Sequence, residues 1–251
     1  MERGETIVKQ HARGRVSVDF SPRKQTLFSN LSLVWPFTCG DDLMQILELF
    51  MGTGSFTRAA LDLGHEVVGV DIIPCPEDLI DRIEYYQEDL STFYFGSREW
   101  ECAIYDFVWA SPPCNTFSSR GWSKSNPRRI DCKAVTDEAK YADRLVQFAI
   151  YQIIRNGRGV IENPRACMRK QDYIQTFDRT TVTYCQYGHN RMKPTDLFFH
   201  PSVPETFDAR MCKNGDSCHI RGPRGSKGSS DARVPYNLCK EILLALTEFS
   251  E

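Results

Sequence analysis

Residues 44–71 read MQILELFMGTGSFTRAALDLGHEVVGVD, and this stretch decides the fold class of the chain. The apolar run Met44–Phe50 predicts a buried strand, which passes through a glycine turn into a helix that ends near Gly64. A second apolar strand, His65–Asp71, follows at once. A strand, a helix and a strand in this order indicate a parallel α/β sheet.

The same alternation continues on the far side of this stretch. Apolar segments predict three more strands, and a long helix is expected at about 136–155, before the last of them. These strands are Ile83–Leu90, Ile104–Ala110 and Gly157–Pro164, and the segments TTVTYCQYG and TDLFFH supply two more candidates. We therefore expect a mostly parallel sheet with helices on both faces, in which ligands bind beyond the carboxyl ends of the strands.

Residues at these strand ends predict a nucleotide-like cofactor. Phe50, Gly52 and Gly54 form an F-x-G-x-G turn in which glycine lets the backbone bend tightly beside a ligand. Asp71 ends the next strand and can accept hydrogen bonds from ribose hydroxyls, while Asp89 follows the third strand and can meet an adenine amino group. The turn has neither a P-loop ending nor a full G-x-G-x-x-G motif. S-adenosylmethionine, which has adenosine but no phosphate, fits it better.

Composition limits the class of protein and its partners. The chain has 251 residues, enough for one large domain or one domain with a small appendage. It has no run of roughly 20 apolar residues and no secretory signal, so we expect a cytoplasmic protein without a membrane partner. The net charge of −2 does not itself indicate nucleic acid, but lysines and arginines cluster in 119–133 and 210–233. Ten cysteines without an export signal favour reduced thiols, metal ligands or catalysis over disulfides.

Two further strand ends carry motifs of a known family. VWASPPCNTFSS (108–119) and IENP (161–164), which follow the F-x-G-x-G turn in this order, resemble the DNA cytosine-5 methyltransferases, in particular small phage-type members. The resemblance covers about 47–191, and the chain departs from the family pattern at Ser111 and Asn115. It implies a Rossmann-like S-adenosylmethionine-dependent methyltransferase fold, DNA as partner, and a monomer in the cytoplasm of a bacterial or phage-infected cell.

The resemblance also assigns chemistry to single residues. Cys114 would add to carbon 6 of cytosine, which makes carbon 5 nucleophilic, and Glu162 would protonate or hold the ring. Pro112 would contact the cofactor. A thiolate is favoured by nearby positive charge, which we expect from the nearby basic residues Arg120, Lys124, Arg128 and Arg129. The non-functional alternatives are a packed structural thiol at Cys114 and a solvated acid at Glu162.

The segment YGHNRMKPT (187–195) resembles a later motif of the family, though imperfectly. Arg191 matches its first arginine and would touch the base or a flanking phosphate, whereas His189 and Lys193 replace a glutamine and a second arginine. A plain surface arginine is the alternative for Arg191. The resemblance also predicts that the last helix packs beside the cofactor.

Three cysteines and a histidine have the side-chain types of a structural zinc site. They are Cys185, Cys212, Cys218 and His219, and their spacing is not that of a CxxC knuckle. Because Cys218 and His219 are adjacent, it stays open whether both reach one ion. A loop with free thiols is the alternative.

The sequence thus divides into four regions. We expect an N-terminal extension without an assigned role (1–42), a catalytic domain (43–184), a small recognition and zinc-binding insertion (185–233) and a closing helix (234–251). The function expected is methylation of carbon 5 of cytosine in duplex or single-stranded DNA. The alternatives are another base, RNA or nucleotide substrate, or an inactive module that binds cofactor and DNA.

Overall fold

A computed structural model describes residues 43–91, 98–118, 127–203, 207–219 and 233–247. Nine strands are formed in these residues: β1 (Gln45–Leu49), β2 (Glu66–Asp71), β3 (Glu84–Gln87), β4 (Phe107–Ala110), β5 (Arg129–Ile130), β6 (Lys133–Ala134), β7 (Gly159–Pro164), β8 (Asp178–Thr183) and β9 (Pro194–Phe199). Four α-helices accompany them: α1 (Ser55–Asp62), α2 (Glu99–Cys102), α3 (Asp137–Asn156) and α4 (Tyr236–Thr247). The extension 1–42 and the basic residues Arg120 and Lys124 lie outside the described part of the chain.

Seven strands form the main sheet in the order β3-β2-β1-β4-β7-β9-β8. The first five pair in parallel, and β9 is antiparallel to both of its neighbours. The order reverses between β1 and β4, and such a switch point is where parallel α/β sheets bind ligands. The predicted Rossmann-like, mostly parallel sheet is confirmed.

Apolar residues on both faces of the sheet explain why helices cover both. Alternate residues of β1 point to opposite sides: Leu47 and Leu49 pack in one core with α3, whereas Ile46 packs in the other with α1 and α4. Helix α3 begins after Thr136, whose side chain accepts a hydrogen bond from the Ala139 amide (3.3 Å). The predicted closing helix also packs back onto the sheet, since Tyr236 of α4 donates to Asp62 of α1 (2.8 Å).

The sheet continues past residue 184, where we expect a separate insertion to begin. Strand β9 lies between β7 and β8 in the main sheet, and its Leu197 is fully buried. It forms an antiparallel pair with β8, to which it is joined by a short connection that includes a 3-10 turn at Tyr184–Tyr187. The expected region 185–233 therefore contains a core strand, and the segment outside the sheet starts after Phe199.

One cysteine pair differs from the expectation of reduced thiols. Cys132 and Cys167 form a disulfide, with Cα atoms 5.0 Å apart. Cys132 lies in the tight turn between β5 and β6, where Asp131 and Cys132 both adopt positive φ angles of 49° and 66°. This turn places Cys132 next to Cys167, which follows β7.

None of the helices in the described part of the chain has the length and apolar character needed to cross a bilayer.

Candidate active site

A cleft of about 540 Å³ opens at the carboxyl ends of β1, β4 and β7. Predicted site residues from all three strand ends line it together: Phe50, Gly52, Pro112, Cys114 and Glu162. Parallel strands place their carboxyl ends at one edge of a sheet, so three motifs that are far apart in sequence meet here. The thiol and the carboxylate thus share one pocket with the glycine turn.

The turn after β1 is built by unusual backbone conformations. Phe50, Gly52 and Gly54 have positive φ angles of 58°, 56° and 69°. A methyl group added at Gly52 would meet only the Phe50 carbonyl, at 3.9 Å, whereas one added at Gly54 would lie 2.4 Å from Leu79 Cδ1. The turn therefore leaves open space above Gly52 and is packed tightly behind Gly54.

The two predicted cofactor acids brace the loops beside this turn. Asp71 accepts hydrogen bonds from the amides of Gly52 (2.7 Å) and Ile73 (3.2 Å). Asp89 accepts them from the Ser91 amide (2.9 Å) and the Tyr141 hydroxyl (3.0 Å), and the Ser91 amide is the main cause that lowers the pKa of Asp89. Both oxygens of Asp71 can accept a further hydrogen bond, whereas Oδ1 of Asp89 already accepts two. Contacts of Asp71 and Asp89 with a nucleoside stay predictions.

Hydrogen bonds from other parts of the chain hold the loop that carries Cys114. The Asn163 side chain donates to the Pro112 carbonyl (3.0 Å), which joins the ends of β4 and β7. The Cys114 carbonyl accepts the amides of Phe117 (3.1 Å) and Ser118 (2.9 Å), so the chain turns directly after the thiol. The cysteine is half-buried at the rim of this turn.

Arg129 lies buried beneath the same loop. Its guanidinium donates to the Thr116 carbonyl (3.1 Å), to the Ala139 carbonyl (3.1 Å) and to Asp143 (2.7 Å), and it stacks 3.9 Å from the centre of the Phe117 ring. A fully buried guanidinium with this many acceptors fixes the positions of the segments that it joins.

Of the four basic residues expected near Cys114, the two that the structure describes are each paired with an acid, and Arg120 and Lys124 stay predictions. Arg129 is paired with Asp143, and Arg128 is paired with Glu138 (3.0 Å), since each arginine has an acid from α3 within reach. Lys193 and Arg233 are cationic residues that line the cleft.

Glu162 is buried at the floor of the cleft and receives a hydrogen bond from the Tyr184 hydroxyl to Oε1 (2.7 Å). Burial and the charge of Glu162 raise the pKa of Tyr184, so the tyrosine remains a donor. This hydrogen bond orients the carboxyl group of Glu162, which also lines the cleft. Tyr184 was not expected in the site, although it lies within the strand candidate TTVTYCQYG; in the structure it directly follows β8.

In the segment YGHNRMKPT (187–195), Lys193 is among the described residues that line the cleft, and Arg191 is not. The Lys193 ammonium lies 4.4 Å from the centre of the Tyr184 ring. The Arg191 backbone amide donates to Nδ1 of His189 (3.0 Å), which shapes the loop before β9. A role for Arg191 in binding the base stays a prediction, and Lys193 joins the candidate residues.

A second buried glutamate, Glu48, also lines the cleft and was missed by the motif analysis. Burial raises its pKa to about 8, although the Thr57 hydroxyl donates to it. An acid in the middle of the apolar run QILELF was the signal in the sequence. Burial therefore favours the protonated form of Glu48.

The four predicted metal ligands lie together outside the cleft. The ligand atoms of Cys185, Cys212, Cys218 and His219 are all within 4.8 Å of one another.

Similarity to a viral protein agrees with the motifs. The chain is 27% identical over 230 residues to a "Probable DNA (cytosine-5)-methyltransferase" of Frog virus 3 (isolate Goorha), and the match covers 82% of this chain and 99% of that protein. The resemblance to this family predicted from the motifs is thereby confirmed. No family model matches the chain.

Solved structures give partial overlaps. A Spodoptera frugiperda DNMT2 mutant matches with 14% identity and a TM-score of 0.41, over 70% of this chain and 56% of that chain. The Dnmt2 methyltransferase of S. pombe matches with 12% identity and a TM-score of 0.43, over 64% of this chain and 51% of that chain. The glycopeptide N-methyltransferase MtfA matches with 15% identity and a TM-score of 0.38, over 63% of this chain and 84% of that chain.

Proposed function

We propose that this protein transfers a methyl group from S-adenosylmethionine to carbon 5 of cytosine in DNA. The observation that carries the proposal is the shared cleft in which Cys114 and Glu162 lie beside the Gly52 turn. The viral relative supports the choice of reaction, since it is named as a probable enzyme of this type.

The turn after β1 fits the adenosyl cofactor. Open space at Gly52 admits a ligand close to the backbone, and Asp71 stands behind the turn with lone pairs for hydroxyl groups. We assign cofactor binding to Phe50, Gly52, Gly54, Asp71, Asp89 and Pro112. S-adenosylmethionine would supply an electrophilic methyl group next to the base.

Cys114 acts as the nucleophile. Its thiolate forms a bond to carbon 6 of cytosine, and the displaced electron pair makes carbon 5 an enamine carbon that can accept the methyl group. The sulfur–methyl bond of the cofactor would break in this step, with S-adenosylhomocysteine as the leaving group. Lys193 and Arg233 supply positive charge in the cleft, which favours the thiolate over the thiol. A base then removes the proton from carbon 5, the carbon–sulfur bond breaks, and the ring double bond is restored.

Glu162 activates the ring for this addition. Its carboxyl group gives a proton to nitrogen 3, or holds it in a hydrogen bond, which draws electrons away from carbon 6. The Tyr184 hydroxyl fixes the carboxyl group in one orientation, because it occupies Oε1 inside the protein. The Asn163–Pro112 hydrogen bond joins the two strand ends that carry the acid and the thiol.

DNA would have to present its base unstacked, because the reacting groups lie in a concave cleft. The lysines and arginines of 210–233 would bind DNA phosphates without recognising the base sequence. Residues 220–232 of this stretch lie outside the described part of the chain.

The test combines methyl transfer with trapping of the adduct. The purified protein, supplied with tritiated S-adenosylmethionine, should label DNA, and nucleoside analysis should find the label in 5-methylcytosine. DNA containing 5-fluorocytosine should remain covalently attached to the protein and not to Cys114→Ser, whereas a matched Cys75→Ser variant should still be trapped.

Other products would revise the proposal in defined ways. Label in RNA, in free nucleotides or in another base would change the substrate, and transfer to cytosine without an adduct would remove Cys114 from the mechanism. Binding of both cofactor and DNA without any transfer would leave an inactive binding module.

A further inference from the structure

The cluster of Cys185, Cys212, Cys218 and His219 lies apart from the residues used above. Cys185 belongs to the 3-10 turn after β8, and the other three residues belong to the segment 207–219. Cys185 and Cys212 are buried, whereas Cys218 is exposed. The fold thus places Cys185, just after a strand of the sheet, beside the segment 207–219, which contains no helix or strand.

Distances within the cluster match a tetrahedral metal site. Cys185 Sγ lies 3.1 Å from Cys212 Sγ and 3.6 Å from Cys218 Sγ. His219 Nδ1 lies 3.6 Å from Cys212 Sγ and 3.4 Å from Cys218 Sγ. Around Zn²⁺, with zinc–sulfur bonds of about 2.3 Å and zinc–nitrogen bonds of about 2.0 Å, ligand atoms are separated by roughly 3.5–3.8 Å. The cluster is slightly more compact, and small side-chain movements would open it to that size.

The same distances answer two objections to a metal site: that two adjacent residues cannot both bind one ion, and that the cysteines form a disulfide. Adjacent residues Cys218 and His219 both turn their ligand atoms into the cluster, so the open question from the sequence is answered for the described chain. The closest sulfur pair, at 3.1 Å, is also well beyond the roughly 2.05 Å of a disulfide bond.

We propose that these four residues bind one zinc ion with a structural role. Three cysteines and one histidine fill all four positions of a tetrahedral site, so no position is left for water or substrate. The Gln186 side chain donates to Cys218 Sγ (3.4 Å) and would orient that ligand from outside the site.

The zinc would hold the segment 207–219 against the sheet. The first part of this segment is also attached by Phe207, which packs against Tyr187 and Phe199, and by the ion pair of Arg210 with Glu241. Around the cluster itself, the Thr183 amide donates to the Arg210 carbonyl (3.1 Å) and the Cys212 amide donates to Thr183 Oγ1 (2.8 Å). Cys185 follows Tyr184, the residue that donates to Glu162, so the ion would also fix the backbone next to the cleft floor. Its binding does not require that the protein transfer methyl groups.

Metal content and spectroscopy test this site without measuring activity. Protein expressed without a histidine tag should contain about one zinc per chain. Replacement by Co²⁺ should give the intense visible bands of tetrahedral cobalt and a thiolate charge-transfer band. A strong chelator should lower the melting temperature, and added zinc should restore it.

Variants separate this site from adventitious binding. Cys212→Ser should lose the zinc, His219→Cys should retain it, and Cys75→Ser, a free cysteine outside the cluster, should have wild-type metal content. Metal-free wild-type protein whose melting temperature does not respond to zinc would overturn the proposal. So would a Cys185–Cys212 disulfide found by peptide mapping, or zinc retained in both Cys212→Ser and Cys218→Ser.

Discussion

The two sides of the cleft are built in different ways. On the β1 side, the turn, its glycines and the Glu48–Thr57 hydrogen bond come from one continuous stretch, with the bonded pair only nine residues apart. On the Cys114 side, the supporting contacts join residues much farther apart: 51 residues for Asn163 and Pro112, and 22 for Tyr184 and Glu162. The first side depends on local backbone conformation, and the second depends on the completed tertiary structure. Substitutions on the two sides should therefore have different effects on activity and stability.

The largest effect is expected at Glu162, on the assembled side. Glu162→Gln keeps the shape of the side chain but removes the proton donor, so methyl transfer should fall by about 10²–10⁴-fold. S-adenosylmethionine binding, measured by calorimetry, should stay near the wild-type value, because the turn after β1 is untouched. Tyr184→Phe should lower the rate by a smaller factor, since it removes the partner and leaves the acid. A wild-type rate in Glu162→Gln would exclude the acid from catalysis.

Arg129 tests whether the Cys114 loop depends on a buried side chain. Arg129→Met removes the cationic partner of Asp143 and leaves it only the Tyr173 hydroxyl (2.7 Å), so the free energy of unfolding should fall by about 3–5 kcal/mol. The neighbouring Arg128→Met is a matched control, because its pair with Glu138 is solvent-exposed and should contribute at most about 1 kcal/mol. Denaturant unfolding of both variants measures the difference. Equal losses would mean that the burial of Arg129 has no special role.

Glu48 gives a pH test of the continuous side. Its pKa is about 8 in the folded protein because of burial, against an ordinary value of 4.5, so the unfolded chain loses the proton first as pH rises. The stabilisation from this group is fully present below pH 4.5 and is lost towards pH 8, with a slope of up to about 1.4 kcal/mol per pH unit. Unfolding measurements between pH 5 and pH 8 should show that Glu48→Gln declines less steeply than the wild type. Parallel curves would contradict the assigned pKa.

The smallest effect is expected when alanine replaces either of two glycines with positive φ angles, Gly54 or Gly157. Gly54→Ala forces a left-handed residue, at about 1–2 kcal/mol, and also brings a methyl group against Leu79. Gly157→Ala is the control, since its φ angle of 77° is similar but nothing lies within 4 Å. Gly54→Ala should therefore be the less stable of the two in thermal unfolding, and it should also bind S-adenosylmethionine more weakly. Identical behaviour would mean that Leu79 moves aside freely.

The same contrast explains what could be predicted from sequence. The turn after β1 and the strand ends at Cys114 and Glu162 were recognisable because apolar runs and short motifs are local. Tyr184 was missed, Arg129 was expected only as a nearby charge, and Lys193 was noted only as a departure from the motif. Their contacts depend on β9 entering the sheet and on α3 packing beneath the loop, which no local pattern shows. The division at residue 185 stays a prediction, although β9 of the region after it lies in the main sheet. Nothing local distinguishes a strand that inserts between two others from one that begins a new region.

The position of α4 has a consequence for biosynthesis. Its Leu238, Cys239 and Ile242 are buried in the same core as Phe56 of α1, although α1 leaves the ribosome long before them. The nascent chain must therefore expose the apolar face of α1 until translation has passed α4. A chaperone that shields apolar surface would find its target on this face of α1.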